Sequence, residues 1–117
     1  MRRRVRFVSL IVLAFALAGG CLARREREAT LKRDLLVMRY AIDQYTLDKQ
    51  QAPQSLQDLV NGHYLKEIPT DPFTLKKDWV PYIGDIVLST DQTMTGIADV
   101  HSNSTQVGSN GSAYNTW

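Results

Sequence analysis

One run of apolar residues with helical spacing constrains the fold of this 117-residue chain more than any other feature. The apolar positions between residues 31 and 47 step by four, three, four and three: Leu31, Leu35, Met38, Ile42 and Tyr45. This spacing places the five side chains along one side of an α-helix, which predicts a stripe that faces a hydrophobic core. These five residues are named the core stripe.

The helix that carries the core stripe is predicted to run from Ala23 to about Lys49, because this segment lacks Pro and Gly and is rich in strong helix formers. Glu28 precedes Lys32 by four residues, the favourable order for a helical ion pair. Residues 23–32 are charged on nearly all sides, which indicates a solvated neck or, alternatively, a frayed linker. The later charged positions are predicted to lie mostly off the core stripe, with Asp43 and Asp48 on an exposed face of the helix: Arg33, Arg39, Asp43 and Asp48.

The N-terminus has the composition of an export signal. Four arginines lie within residues 2–6, and the charge-free apolar run at residues 7–18 has the length of a secretory signal. Extended to residue 23, the run gives about 25 Å of helix against a hydrocarbon core of about 30 Å. A removed signal and a retained membrane helix therefore both stay open, and the N-terminal arginines favour an exported C-terminal part in either case.

The single cysteine favours one of these alternatives. Residues 17–21, Leu-Ala-Gly-Gly-Cys, resemble the lipobox of bacterial lipoproteins, in which the cysteine receives a diacylglycerol and the chain is cut before it. The favoured prediction is lipidation of Cys21 with residues 1–20 as the export segment, and the alternative is a small residue in a membrane helix. A lone cysteine excludes an intrachain disulfide, so stability has to come from packing.

Charge and motif content argue against two classes of function. The net charge of +2 includes the arginines of residues 2–6; without residues 1–20, ten basic residues face twelve acidic ones. No later basic run is interleaved with aromatics, which argues against nucleic-acid binding. The two histidines, His63 and His101, lack metal-ligand spacing, and no phosphate loop or nucleophile motif occurs. The chain is therefore predicted not to be an enzyme.

The region after residue 50 contains a short helix and several candidate strands. Pro53 ends the long helix. Ser55 and Asp58 form a capping-box pattern, and Gly62 is placed as the C′ residue of the helix between them. Pro69, Asp71 and neighbouring Pro72 predict a rigid turn that presents Phe73. Extended segments are predicted at residues 64–68, 79–82, 84–89 and 97–102, with Pro81 at an edge or bulge, and residues 103–115 form a loop closed by Tyr114 and Trp117.

Several of these segments together resemble the type II secretion pseudopilins, in particular the major, G-type family, over residues 29–117. The similar segments are Tyr45-Thr46-Leu47-Asp48-Lys49, Ala52-Pro53, Leu56-Gln57-Asp58-Leu59-Val60, and Tyr64 through Ile68-Pro69-Thr70-Asp71-Pro72-Phe73, followed by Asp99-Val100-His101-Ser102 with Gly111 and Trp117. The N-terminus departs from the family, because Arg6 stands where a Gly precedes the first mature Phe and Ile11 stands where the family has Glu.

This resemblance implies an α+β fold in which a long N-terminal α-helix packs on a small antiparallel β-sheet, as in pilins. Residues 21–49 would form the anchor, neck and long helix, and residues 50–117 a headpiece packed on residues 31–49. The implied function is that of a structural component of a type II secretion system or related envelope assembly, in which the core stripe also serves helix packing. The alternative is a membrane-anchored lipoprotein that uses this headpiece as a binding module.

The resemblance also bears on location, partners and cofactors. It implies the bacterial cell envelope, with the C-terminal domain exported to the periplasmic side and with the membrane and pilin-like or other secretion-system proteins, or a second copy, as partners. The G-type family binds calcium in its C-terminal loop, and Ser102 and Asn110 are the residues that match its ligands. Asn110 replaces an Asp, and no acid follows Asp99. No cofactor is the expectation, and calcium is the alternative.

A Cys21→Ser substitution separates the two anchors. If Cys21 is lipidated, the variant loses the acyl chain and the cleavage before residue 21, so its polypeptide becomes longer by the export segment. Intact mass of the membrane fraction measures both changes. A variant that stays membrane-bound with the same mass as the wild type, apart from the one-atom exchange, contradicts lipidation and favours a retained helix.

Overall fold

The computed structural model describes the backbone of residues 2–117 and the side chains of residues 23–117. Helix α1 spans Arg2–Lys49 and ends where the sequence predicts. Gln50 takes a left-handed backbone conformation with φ of 52°, and its side-chain amide donates to the carbonyl of Leu47 at 2.8 Å. Within residues 23–117, no helical stretch has the length and hydropathy of a membrane span.

The second helix, α2, spans Leu56–Asn61 and starts with the predicted capping box. The backbone N–H of Asp58 donates to the Ser55 hydroxyl at 3.3 Å, and the Asp58 carboxylate accepts from the backbone N–H of Ser55. Its C-terminus differs from the prediction, because Gly62 has φ of −85° and His63 takes the left-handed position with φ of 66°. The N–H groups of His63 and Tyr64 close a Schellman motif onto carbonyls of α2.

The sheet is a two-stranded antiparallel hairpin of β1, Val80–Ser89, and β2, Gln92–His101. Two of the predicted strands, 79–82 and 84–89, fall, apart from Trp79, within the single strand β1, which carries a register shift between Tyr82 and Ile83. Pro81 lies beside that shift on a strand whose other edge is unpaired in the described sheet, as predicted. Residues 64–68, which the sequence predicts to be extended, do not join the sheet.

Strand β2 lies between β1 and the segment that links the two helices. The N–H of Ile97 donates to the carbonyl of Pro53 at 2.8 Å, and the Gln54 amide donates to the carbonyl of Thr95 at 3.0 Å. Gly96 permits this approach, because a Cβ at that position would lie 2.4 Å from the Cβ of Ala52. The link between the helices therefore covers the edge of β2 that β1 leaves free.

The hydrophobic core forms where the core stripe meets α2, the hairpin and the C-terminal loop. Leu31, Leu35, Met38 and Ile42 are at most 1% exposed, and Tyr45 is half-buried. The buried side chains that pack on them come from α2, the segment between α2 and β1, strand β2 and the C-terminal 3-10 helix: Leu59, Leu65, Trp79, Ile97, Val100 and Tyr114. The predicted α+β class and the predicted packing of the long helix on an antiparallel sheet are confirmed.

The loop after β2 is closed by aromatic side chains, as the sequence predicts. It ends in a short 3-10 helix, Tyr114–Thr116, after an isolated bridge between Val107 and Ala113. The buried ring of Tyr114 stacks on Phe73 with centroids 3.8 Å apart and meets the edge of Trp117 at 4.9 Å.

Replacing His63 by Gly is expected to raise the free energy of unfolding by about 1 kcal/mol, because the left-handed conformation penalises a residue with a Cβ. Denaturant unfolding of the full chain, followed by circular dichroism, measures the change. The matched control is Gln57→Gly at an exposed helical position of α2, which is expected to cost about 0.5–1 kcal/mol. Destabilisation by both changes would contradict the assignment of His63 to the cap.

Candidate functional site

Glu28 is a buried carboxylate of α1 that holds the C-terminal loop. It is 6% exposed and accepts hydrogen bonds from the backbone N–H of Ser109 at 2.9 Å, the Ser109 hydroxyl at 2.6 Å and the Tyr114 hydroxyl at 2.8 Å. The Arg24 guanidinium lies 3.5 Å away and also donates to the carbonyl of Val107 at 2.7 Å. This part of α1 is therefore not a fully solvated neck, because the loop covers one side of it.

These contacts shift two ionisation equilibria. The hydrogen bonds from Ser109 lower the pKa of Glu28, with further lowering by Tyr114 and Arg24, although burial acts in the opposite direction. Burial raises the pKa of Tyr114, and the hydrogen bond that its hydroxyl donates to the Glu28 carboxylate raises the pKa further. Ionised Glu28 is therefore the form that the folded loop stabilises.

The predicted ion pair between Glu28 and Lys32 is not the interaction that the structure shows. Lys32 lies over the ring of Trp117, 5.0 Å from its centroid, and Arg27 lies 5.9 Å from the centroid of Phe73. Two basic residues of α1 thus contact aromatic rings at the closed end of the headpiece by cation–π attraction.

Arg39 joins α1 to both β2 and the end of the C-terminal loop. Its Nε donates to Asp99 at 2.7 Å, and its Nη2 donates to the carbonyls of Val100 at 3.0 Å and Trp117 at 2.6 Å. His101 lies in the same cluster, with Nδ1 2.9 Å from the Trp117 carbonyl and Nε2 3.4 Å from Asp99. Arg39 lies off the core stripe, and its half-buried guanidinium donates hydrogen bonds through Nε and Nη2.

Asp71 closes the predicted turn and also ties it to the end of β2. Its side chain is fully buried and accepts from the backbone N–H groups of Phe73 and Thr74 and from the Ser102 hydroxyl. The Pro69 carbonyl accepts from the Trp79 indole at 2.7 Å. The predicted headpiece motif of Pro69, Asp71, Pro72 and Phe73 is therefore a packing element, with Pro72 half-buried beside it.

Three other pKa shifts follow from local contacts. Burial raises the pKa of Asp34, and the charge of Asp71 adds to that effect while Arg33 opposes it. Burial and the hydrogen bond to Asp48 raise the pKa of Tyr64. Hydrogen bonds from Thr74 and Asn103 lower the pKa of Asp78, which links the turn to the loop after β2.

The two residues matched to calcium ligands have separate partners. Ser102 donates to Asp71 and accepts from the backbone N–H of Ser104, whereas the Asn110 side-chain oxygen accepts from the N–H and hydroxyl of Ser112. Among the described residues, no three His, Cys, Asp or Glu side chains form a group that could hold a metal.

Cys21 lies outside the described side chains, so its lipidation and the export segment stay predictions.

The described part of α1 also carries apolar residues on the side opposite the core. Leu36, Tyr40 and Leu47 are 66%, 68% and 62% exposed, and their spacing of four and seven residues keeps them on one side of the helix. We name this surface the outer face and include the exposed residues that share its helical line: Ala29, Arg33, Leu36, Tyr40, Asp43 and Leu47. By contrast, the fully buried part of the core stripe has almost no surface to offer a partner.

The roles of Glu28 and Arg39 were not predicted from the sequence, for different reasons. Glu28 precedes Leu31 by three residues, so the helical spacing continues the core stripe to it, but its charge suggested solvent exposure. Arg39 has no comparable signal, because its partners lie 60 to 78 residues later in the chain.

No protein-family model, curated protein or solved structure matches this chain.

Replacing Glu28 by Gln is expected to lower the free energy of unfolding by about 1–3 kcal/mol at pH 7, because an amide cannot accept from all three donors. The folded pKa lies below the ordinary value of 4.5. The stabilisation is therefore fully present above that pH and is lost as the pH falls through the folded pKa. Denaturant unfolding at pH 7 and pH 3 should show the difference between wild type and variant narrowing on acidification.

The control for this prediction is Glu26→Gln, which makes the same change at an exposed position of the same helix. It is expected to change stability by less than about 0.5 kcal/mol. A Glu28→Gln penalty that is equal at both pH values would contradict a role for the ionised carboxylate.

Proposed function

We propose that this protein is a pilin-like structural component of a bacterial envelope assembly, of the kind formed by type II secretion pseudopilins, and that it acts through helix packing. The observation that carries this proposal is the two-sided character of α1. One side builds the core, and the opposite side leaves Leu36, Tyr40 and Leu47 exposed. A surface helix ordinarily places polar residues on the side away from its core.

The order and packing of the elements support the same proposal. A long helix precedes a capped short helix, a Pro-Asp-Pro turn and an antiparallel hairpin, and the aromatic end of the chain packs back on the helix. The turn, which the resemblance singles out, is anchored by a fully buried Asp71. These features give the headpiece a fixed orientation relative to α1, which a subunit that assembles through α1 requires.

The proposed location is the cell envelope, with Cys21 or the apolar segment before it as the membrane attachment and the headpiece on the periplasmic side. The proposed partners are the membrane and pilin-like or other secretion-system proteins, including a second copy. The core stripe is reassigned in this proposal: its members stabilise the headpiece, and the outer face makes the contacts between subunits.

A pair of substitutions tests this function in cells of the source bacterium that lack the chromosomal copy. Leu36→Glu and Tyr40→Glu are expected to leave the fold intact, since both positions are exposed, but to weaken subunit contacts by about 2 kcal/mol, or roughly 30-fold in affinity. Secretion of extracellular enzymes into the medium measures the functional loss, and immunoblots of the envelope fraction measure protein level.

The matched control is Leu75→Glu, which places the same charge at an apolar residue that is 76% exposed but lies outside α1. Ile42→Asp supplies the unfolded reference, because it buries a charge in the core. Normal secretion by both outer-face variants at normal protein level, together with normal secretion by the Ile42→Asp strain, would contradict the proposal. If the outer-face variants secrete normally and only the Ile42→Asp strain is defective, the result would favour the alternative, a lipoprotein that does not assemble.

A further inference from the structure

We propose that the first described turns of α1 bind the headgroups of anionic phospholipids in the membrane to which the chain is attached. Three exposed residues carry this proposal and are named the neck arginines: Arg24, Arg25 and Arg27. The proposal rests on the membrane attachment in the proposed function. It goes beyond that attachment because it adds a second contact with the membrane and names the class of lipid.

The charges of residues 21–117 are unevenly distributed along the chain. Residues 23–33 contain five basic side chains and two acidic ones, whereas residues 34–117 contain five basic and ten acidic ones. Residues 21–117 as a whole are therefore negatively charged, and an even distribution of these charges would be repelled by an anionic membrane. The basic residues are concentrated instead at the end where the chain leaves the membrane.

The position of the neck arginines opposes the usual charge pattern of exported proteins. Basic residues next to a membrane segment favour the cytoplasmic side, but in the proposed topology these three lie on the exported side. A charge pattern that works against the topology requires a compensating interaction. Attraction to anionic headgroups on the same side of the membrane supplies one.

The distance from the attachment point places the neck arginines at the level of the lipid headgroups. Helix α1 is continuous through this region, so at about 1.5 Å per residue Arg24 lies about 4.5 Å and Arg27 about 9 Å along the axis from Cys21. The headgroup layer on each side of a bilayer is about 5–7.5 Å thick. Helical side chains lean toward the N-terminus, which here is the membrane end. An anchor formed by the apolar segment that ends at residue 23 would bring all three closer still.

A cleft beside the neck arginines has a lining that suits a phosphate headgroup. It has a volume of about 450 Å³ and lies between α1 and the C-terminal loop, with Arg24, Arg27, Phe73, Gln106, Val107 and Tyr114 around it. The Arg27 guanidinium lies over the Phe73 ring, 5.9 Å from its centroid, and this cation–π contact holds the charge at the cleft. A guanidinium presents paired N–H donors that match two oxygens of a phosphate.

The acidic neighbours of the cleft leave this positive charge in place. Glu28 is buried, and its carboxylate already accepts three hydrogen bonds from the C-terminal loop and lies 3.5 Å from Arg24. Glu26 is exposed but points about 130° around the helix from the mean direction of Arg24 and Arg27. Within residues 23–117, Arg25 has no ion-pair partner, so its charge is open to a headgroup.

Val107 adds an apolar contact at the same level. Its carbonyl accepts from Nη2 of Arg24 at 2.7 Å, which fixes this part of the C-terminal loop beside the first described turn of α1. Its side chain is 56% exposed. Apolar side chains next to basic ones are typical of surfaces that lie at the boundary between headgroups and acyl chains.

Native mass spectrometry of the full chain in detergent tests this contact. The protein is mixed with equal amounts of phosphatidylglycerol, which is anionic, and phosphatidylcholine, which is zwitterionic, with identical acyl chains. About tenfold higher occupancy by phosphatidylglycerol is expected, because only the headgroup charge differs between the two lipids. Equal occupancy by both lipids would overturn the proposal.

Inorganic phosphate distinguishes a lipid site from a site for a free anion. An excess of ammonium phosphate is expected to lower occupancy by phosphatidylglycerol no more than ammonium acetate of equal ionic strength does, because the lipid is also held through its acyl chains. Displacement by phosphate beyond the effect of acetate would overturn the lipid assignment in favour of a free anion.

Substitutions test the residues that bind the headgroup. Arg25→Gln and Arg27→Gln are each expected to weaken binding of phosphatidylglycerol about fivefold, since each removes one positive charge at the membrane surface. Arg25→Lys keeps the charge and is expected to bind within about twofold of the wild type. Because Arg25 is exposed, both of its variants keep the fold, which far-UV circular dichroism checks.

The matched control is Lys49→Gln, which removes one positive charge from the exposed far end of α1, about 33 Å from Arg27. It is expected to leave the preference for phosphatidylglycerol unchanged. Wild-type binding by both Arg25→Gln and Arg27→Gln would overturn the assignment to the neck arginines. A loss in Lys49→Gln equal to the loss in Arg25→Gln would overturn it as well, because net charge alone would then explain the preference.

These measurements on purified protein are separate from the secretion assay. A preference for phosphatidylglycerol that Arg25→Gln removes, together with normal secretion by the outer-face variants, would support the headgroup contact and reject the role in assembly. A secretion defect in the outer-face variants without any lipid preference would reject the headgroup contact and keep the role in assembly.

Discussion

Burial of one side of α1 is the constraint on which the rest of the structure depends. The sheet has only two strands, and an isolated two-stranded hairpin is at best marginally stable in water. Helix α2 has six residues, which is too short to persist alone. Both become stable parts of a domain because the core stripe supplies a continuous apolar surface. The hairpin and α2 are therefore connected mainly through the buried residues of the core stripe: Leu31, Leu35, Met38 and Ile42.

Two polar side chains of α1 then fix the C-terminal loop on that surface. Glu28 accepts three hydrogen bonds from the loop, and Arg39 donates to Asp99 and to the carbonyls of Val100 and Trp117. A buried carboxylate and a half-buried guanidinium are tolerable only when they are hydrogen-bonded, and here Glu28 bonds the C-terminal loop while Arg39 bonds both β2 and the C-terminal residue.

The outer face is the part of α1 that the core of the headpiece does not use. Because the core needs only one side of α1, the opposite side is free to vary without loss of the fold. Its apolar members are therefore not explained by the stability of the described headpiece. The proposed function explains their exposure by contact with another helix. It thereby assigns folding to the core stripe and assembly to the outer face.

The sequence by itself determined the features that depend on near neighbours along the chain. The core stripe, the end of α1, the capping box of α2 and the turn at Asp71 all follow from residues a few positions apart, whereas the α+β class is what the resemblance of several segments to the pseudopilins implies. Tertiary structure decided whatever depends on distant segments. The burial of Glu28 and the engagement of Arg39 rest on partners 60 to 86 residues away.

The merging of two predicted strands into β1 required β2, and the left-handed cap at His63 rather than Gly62 required the path of the chain after α2. Local spacing fixes which side of a helix is apolar, since the geometry of the helix is regular. Local spacing does not fix which distant polar group packs against the helix, because the choice of packing partner depends on the energy of the whole folded arrangement.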